Sequence, residues 1–380
     1  MLIMNDKLYY TVPLCLTHRC NLNCVYCFEK HDGEHEMTCE TAMECVDQVC
    51  NQVKCGATIE FLFFGGEPLL RFDLIRQVVR YVIEKQPKQK CRFFASTNGV
   101  LLTDDMKEWF RGKKDIFVLG LSLDGERKSH NYNRSQSYDK IDIGFFKETW
   151  PKQNVKMTVS EHTLANYASD VIFLHSLGFG INGGEICLGN SDWQKSGLLE
   201  LYAKQLMQLI DYYSNCNESR YNAMFDIDIA LCAAKNKLPR KQCGIGDKLF
   251  FFDTDGQRYP CTFITPMTFD ECTIETIMTT DFKNSENFTD LNCLKNCYLY
   301  PICKRCPAEN YLKNKSFKQW NRDKCGFTEI LALAVSEIET RKIINNPKIY
   351  DETKLFYTIE AIKKIRELYQ QKYVDIMDLE

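Results

Sequence analysis

No run of apolar residues in this 380-residue chain approaches the roughly 20 uncharged positions of a membrane span. Charge of one sign is not in excess either. Lys+Arg number 48 and Asp+Glu 51, a net of −3, so no polybasic footprint for nucleic acid or a membrane surface is present. The first residues, MLIMNDKLYY, lack a basic patch followed by a long apolar stretch, so no signal peptide is read and a cytoplasmic chain is expected. Internal repeats and low-complexity tracts are absent. Histidine is scarce, six in all; His18, His31, His35, His162 and His175 form no His/carboxylate pattern and are expected to carry no role. Disorder is excluded by composition: 44% hydrophobic, 12% aromatic and 26% charged describe a globular chain. The length suits one large domain, or one with a smaller appendage.

What is abundant is cysteine. Of 20 cysteines, eight lie between Cys15 and Cys55 and eight between Cys243 and Cys325. A disulfide scaffold would be smaller and exported. Clustered thiols in a large chain without an export signal point to bound metal or redox chemistry, and suit a reducing, anaerobic cell.

From residue 7 to about 215 the pattern alternates strand and helix. Lys7–Cys15, Thr58–Phe64, Arg92–Ser96, Ile116–Leu123 and Val155–Val159 read as strands. Thr38–Val53 and Phe72–Ile83 carry apolar residues at helical spacing. The expected fold class is α/β, a parallel sheet closed into a partial, six-unit barrel, since there are too few units for a full eightfold one. After about residue 240, Leu249–Phe252, the Asp255-Gly256 turn and Arg258–Cys261 read as a hairpin. A Cys-rich irregular stretch follows, then helices from Thr328 to the end. The expected domains are a barrel over 1–215, a helical linker over 216–242, a Cys-rich domain over 243–327 and helices over 328–380.

Directly after the first strand stands Cys20-Asn-Leu-Asn-Cys24-Val-Tyr-Cys27. Three thiolates at C-x3-C-x2-C spacing can hold three irons of a [4Fe–4S] cube, where electron-transfer clusters use four. The fourth iron is then open to substrate, as open metal sites are in catalysis. Zinc or buried core thiols are the competing readings.

This motif resembles the signature of radical S-adenosylmethionine (SAM) enzymes, and three further segments match that family in order. Gly65-Gly66-Glu67-Pro68 resembles its GGEP motif, which implies that this backbone and Glu67 bind the methionine ammonium of SAM. Ser96-Thr97-Asn98-Gly99 falls where the family has polar SAM contacts, Ser96 and Asn98 among them. Ser122-Leu123-Asp124-Gly125, with His130 and Arg134 downstream, resembles the stretch that contacts the ribose and carboxylate. Tyr26 matches an aromatic that flanks adenine. The resemblance covers about residues 7–215 and implies reductive cleavage of SAM to a 5′-deoxyadenosyl radical that abstracts substrate hydrogen.

The second set, Cys243-x12-Gly256-x4-Cys261, then Cys293-x3-Cys297-x5-Cys303-x2-Cys306 and Cys325, is similar to the SPASM extension of peptide-modifying members. The outer spacings of its middle part are exchanged here. By resemblance, an outer [4Fe–4S] cluster takes Cys293, Cys297, Cys303 and Cys325. An inner one takes Cys243, Cys261 and Cys306, with Cys232, Cys272 or an open site as fourth ligand. Zinc is the alternative. The hairpin and its loops carry too little apolar content to fold unaided, so metal is expected to supply folding energy. Cys15 and Cys45 are expected in packing, and Cys39, Cys50, Cys55, Cys91, Cys187 and Cys216 show no ligand spacing.

The extension implies a peptide or protein substrate. One reading is a maturase that crosslinks a ribosomally made peptide. Another is an anaerobic sulfatase maturase that makes formylglycine; that family has an Asp base directly after the cysteine matching Cys261, where this chain has Thr262. A third is a non-catalytic iron–sulfur carrier or sensor, which has no need of SAM motifs. With the cluster motif starting at Cys20, no room is expected for an N-terminal leader-binding domain. A leader would bind a separate protein, the core or residues 328–380. A flavodoxin or ferredoxin is the implied reductant.

Overall fold

The structure, a computed structural model, describes residues 8–29, 35–186, 193–215, 223–234, 237–241 and 243–377. His31, Cys187, Cys216 and part of the expected linker lie outside them. In chain order β1 (Tyr9–Thr17), α1 (Cys39–Gln52), β2 (Thr58–Gly65), α2 (Phe72–Lys85), β3 (Lys90–Thr97), α3 (Asp104–Lys113) and β4 (Phe117–Leu121) alternate strand and helix. Then come α4 (Arg127–Asn133), α5 (Ile143–Thr149), β5 (Val155–Val159), α6 (Tyr167–Ser176), β6 (Ile181–Ile186), α7 (Leu198–Asn215) and α8 (Ala230–Ala233). The rest holds β7 (Phe251–Phe252), β8 (Arg258–Tyr259), α9 (Glu271–Met278), α10 (Leu291–Asn296), α11 (Pro307–Asn314), α12 (Cys325–Asn345) and α13 (Glu352–Tyr369). These elements form two compact units, and the chain passes between them more than once. One comprises residues 1–122, 134–154 and 243–287, the other 123–133, 155–242 and 288–380.

The first unit is built on one sheet of order β4-β3-β2-β1-β7-β8. β1 to β4 pair in parallel, with Thr58 beside Lys90 and Phe93 beside Phe117. Alternation explains β2: Ile59, Phe61 and Phe63 are fully buried while their neighbours are half-exposed. The rings of Phe61, Phe63, Phe93 and Phe117 stack across three strands, 5.7 Å apart for Phe63 and Phe117. Thr38 caps α1 by accepting from Thr41 N. α2 buries Leu74, Ile75, Val78, Val79 and Val82, each contributing about 1.5–3 kcal/mol of transfer free energy.

The hairpin differs from expectation. Phe250, Phe251 and Phe252 are buried, and β7 joins the free edge of β1 in parallel, Leu14 beside Phe252. It is therefore supported by apolar burial and strand pairing, not by metal alone. The expected six-strand barrel is also modified. Six parallel strands form, but β5 and β6 pair as a separate two-stranded sheet. β4 is only five residues long. Two residues past its end, Leu123 donates a single backbone bond to Lys156, which is not a ladder.

In the second unit α6 packs against β6 and α7, and α12 lies against α7 and α13. α12 starts at Cys325, earlier than the expected Thr328. Its buried Glu337 is matched by two guanidiniums, Arg341 and Arg366, as a buried charge requires. No helix among the described residues is long and apolar enough to cross a membrane.

Gly125 is held at φ +121°, and a Cβ there would lie 2.3 Å from the Asp170 side chain, whose Oδ1 accepts from Glu126 N. Gly125→Ala is therefore expected to cost roughly 2 kcal/mol or more, read as a lower denaturant midpoint with unchanged slope. Gly112→Ala, where a Cβ meets nothing within 4 Å, is expected to cost nothing measurable.

Candidate active site

The cysteine motif occupies the loop that leaves the C-terminal end of β1. Cys20, Cys24 and Cys27 are half-exposed. Cys27 N donates to Cys24 O, and Leu22 N points at Cys20 Sγ, 3.4 Å away. Burial pushes the Cys20 thiol up from its usual range, so metal binding there must displace protons. Three accessible sulfurs on one loop, one already facing a backbone amide, fit an iron–sulfur cluster.

The loop is fixed by a backbone seam. At the end of β2, Gly66 N donates to Thr17 O at 2.9 Å and Glu67 N to Arg19 O at 3.0 Å. A Cβ on Gly65 would lie 2.1 Å from Thr17 O, and one on Gly66 2.3 Å from Arg19 O. Only glycine allows this approach. Pro68 opens the short 3-10 turn that follows.

Glu67 is 1% exposed. One carboxylate oxygen accepts from Leu69 N and Thr97 Oγ1, the other from Asn98 N. A carboxylate has about four acceptor positions, so one remains for a cation. Burial pushes Glu67 up to about 7, against the pull of those three donors and of Arg134. Asn98 Nδ2 donates to Asn21 Oδ1 within the cysteine loop. Ser96 and Ser122 hydroxyls lie 3.3 Å apart at the ends of β3 and β4. The Arg134 guanidinium sits over the Tyr26 ring, 5.4 Å from its centroid. Next to it, Ser135 Oγ accepts from Asn23 N. Tyr26, Gly65, Gly66, Glu67, Pro68, Ser96, Asn98, Ser122 and Arg134 thus belong to one unit with the three cysteines.

Asp124 belongs to the other unit and is 1% exposed. Its carboxylate accepts from Thr158 N and Asn133 Nδ2, so it braces β5 against α4. Asp124 N faces Nδ1 of the fully buried His130 at 3.4 Å. Both side chains brace this turn.

His18 was missed from sequence. Its ring joins Glu29 Oε2 through Nδ1 at 3.0 Å and Asp253 Oδ1 through Nε2 at 2.8 Å. Asp253, the thiol of Cys15 and Glu29 together push the imidazole up to about 12, so it is a cation at neutral pH. It clasps the two ends of the cysteine loop to the hairpin. Cys15 Sγ is nearly equidistant from the two ring nitrogens, 3.8 and 4.0 Å. It therefore lies off both in-plane lone-pair directions, and the cluster reads as an ion-paired imidazolium, not a metal site.

In the second unit the outer cysteines converge. Cys293 lies in α10, capped by Asp290, which accepts from Asn292 N, Cys293 N and Trp320 N. Cys303 is buried with Tyr300 and Trp320, and Cys293 and Cys297 pack against them; the two rings stack at 5.2 Å. Arg240 donates to the carbonyls of Tyr300, Pro301 and Cys303, and Lys237 to that of Cys297. Burial pushes the Cys303 thiol up to about 11, with Cys297 and Cys325 acting on it at close range. Cys293 and Cys297 packed against Cys303, with Cys325 acting on the same thiol, fit the ligand set of a fully ligated cluster. Cys306 caps α11 in the same unit. The buried Cys232 also lies there, while Cys243, Cys261 and Cys272 lie in the first unit.

The half-exposed thiols, the glycine seam and the polar strand ends of this α/β unit fit an iron–sulfur site. Residues 14–142 match the Radical SAM superfamily, and the chain carries a radical SAM domain. An uncharacterised protein of Methanocaldococcus jannaschii is 35% identical over 110 residues, 29% of this chain and 37% of that protein. The cysteine-type anaerobic sulfatase-maturating enzyme of Clostridium novyi is 26% identical over 319 residues, 75% of this chain and 84% of that enzyme. Among solved structures, native anSMEcpe with bound AdoMet and Cp18Cys peptide superposes with a TM-score of 0.67 at 21% identity, over 88% of this chain and 98% of that one. Streptococcus suis SuiB bound to precursor peptide SuiA gives 0.55 at 16% identity, over 82% and 75%. At these identities the structures share the fold. The Clostridium novyi relative is an enzyme, and SAM and [4Fe–4S] clusters are the cofactors of this class.

His18→Ala would leave two carboxylates nearly buried without their cation. The expected cost is about 3–5 kcal/mol, read by chemical denaturation of the reconstituted chain. Cys55→Ala, at an exposed thiol, is expected to change nothing.

Proposed function

We propose that the protein is a radical SAM enzyme that oxidatively modifies a peptide or protein, and that the product is a thioether or carbon–carbon crosslink. The observation that carries the reading is the seam that sets three half-exposed cysteines beside Glu67 and Asn98. An electron carrier has no use for a cation acceptor there. The four converging cysteines of the second unit support the SPASM-type class.

On this reading Cys20, Cys24 and Cys27 would hold three irons of a [4Fe–4S] cluster, which when bound would provide one-electron reducing chemistry toward SAM. Glu67 offers its last acceptor position to the SAM ammonium. Arg134, already over Tyr26, fixes that ring for adenine and presents a cation to the SAM carboxylate. Ser96, Ser122 and Asn98 line the strand ends with hydroxyl and amide groups for the ribose. Asp124, at the start of the stretch that resembles the family's ribose and carboxylate contacts, remains a candidate SAM contact that also braces its own turn. Cys293, Cys297, Cys303 and Cys325 hold the outer auxiliary cluster, and Cys243 and Cys261 serve the inner one. Residues 1–215 then serve SAM and 243–327 the auxiliary clusters, with a flavodoxin or ferredoxin as reductant.

Formylglycine formation is the second reading, favoured by the length of the match to the Clostridium novyi maturase. Thr262 counts against it, because a threonine hydroxyl is not a base near neutral pH. Mass spectrometry of reacted peptides separates the two. Loss of two hydrogens with no new carbonyl supports a crosslink, and a Cys or Ser converted to an aldehyde that hydrazide traps supports formylglycine.

Glu67 makes SAM binding depend on pH. The ionised form is the acceptor, and it is lost as pH falls through about 7. SAM affinity of the reconstituted chain is therefore expected to rise between about pH 6 and 8, by at most about tenfold per unit. Glu67→Gln is expected to weaken binding at least about tenfold and to flatten that profile, measured by anaerobic calorimetry.

A further inference from the structure

Arg305 is a buried cation with no carboxylate in ion-pair contact among the described residues. It is 9% exposed. Nη1 donates to Lys304 O at 3.3 Å, and Nη2 points at Cys325 Sγ, 3.7 Å away. Among the described residues it forms no ion pair, although the neighbouring Lys324 pairs with Glu309 at 3.1 Å. Arg240, likewise enclosed, is spent on three carbonyls. An uncompensated buried guanidinium costs several kcal/mol. The groups that face it are first the sulfurs of Cys303 and Cys325 and then the carboxylate of Glu309, which makes no ion pair with it and is already paired with Lys324. As neutral thiols the two sulfurs cannot balance the charge. As thiolates bound to iron they can, because a four-thiolate [4Fe–4S] cluster is an anion overall.

We propose that Arg305 is the counter-charge of the cluster held by Cys293, Cys297, Cys303 and Cys325, and that it raises that cluster's reduction potential through its bond to the Cys325 sulfur. The inference rests on the auxiliary-cluster reading above. One-electron reduction places another negative charge on the cluster, and a fixed cation beside one sulfur stabilises the reduced form more than the oxidised one. Hydrogen bonds to ligand sulfurs and nearby charge are the protein's levers on such potentials. Arg305 is thus a positioning and electrostatic residue, not a ligand. The other polar neighbours differ in kind: Lys237 and Arg240 bond to backbone carbonyls and fix the loop, so their removal disturbs cluster retention more than potential.

The test is a potentiometric titration of the full-length reconstituted chain, dithionite supplying the electrons and electron paramagnetic resonance reading the clusters. Running it also in C20A/C24A/C27A leaves only the auxiliary signals. Arg305→Met is expected to lower the midpoint of one auxiliary signal. At the wild-type midpoint the reduced-to-oxidised ratio falls about tenfold, which is about 59 mV for a one-electron couple. Arg305→Lys restores part of the shift, and the second auxiliary signal stays in place. Should Arg305→Met fail to retain iron, Arg305→Gln takes its place and must fall below Arg305→Lys. Unmoved midpoints, or equal shifts for Lys and Met, overturn the proposal. A wild-type chain holding only about four irons instead overturns the auxiliary-cluster reading beneath it, a separate outcome.

Discussion

The site depends on a backbone-to-backbone contact. Gly65 and Gly66 let the end of β2 approach Thr17–Arg19 until amides meet carbonyls directly. No side chain can stand between them. The contact fixes the exit direction of the chain from β1, and the next residues are the cysteine motif. It also aims Glu67 inward, where Thr97 and Asn98 lock its carboxylate to the end of β3. A [4Fe–4S] cluster and SAM need thiolates and an ammonium acceptor at one strand edge. Here one pair of glycines serves both needs.

The second constraint is charge. Buried cations and anions recur where cysteines gather. His18 is held between Glu29 and Asp253, Arg134 lies over Tyr26, and Arg305 faces Cys325. The first two are balanced within the protein. On the reading proposed above, ionised sulfurs supply the main counter-charge of Arg305, which links the fold of the second unit to metal content. Structural metal binding of this kind releases protons and contributes folding free energy. The hairpin needs less of this help, because three consecutive phenylalanines and an edge of β1 already hold it.

Local features were legible in the sequence. β5 is observed over Val155–Val159 as read, and α1 lies within the helical run expected over Thr38–Val53. The cysteine spacings and the polar strand ends announced the class of site. Features set by distant residues were not legible. His18 and Asp253 are 235 positions apart, and no spacing rule connects them. The pairing of Leu14 with Phe252 likewise has no local signal; short apolar runs state that a strand forms, not which edge it joins. Asp124 illustrates a subtler limit. Its motif marks a strand end near a ligand, but whether the carboxylate faces the ligand or braces the turn depends on Thr158 and Asn133. Arg305 could be found only after its burial was known, since beside Lys304 it reads as one more surface charge.

The most direct measurement is anaerobic reconstitution followed by iron and sulfide counts and an assay for 5′-deoxyadenosine from SAM under dithionite. About twelve irons per chain, with 5′-deoxyadenosine formed and lost again on Cys24→Ala, is the predicted result for one SAM-binding and two auxiliary clusters. Clusters that assemble fully yet never cleave SAM, even with candidate peptides present, would contradict the account.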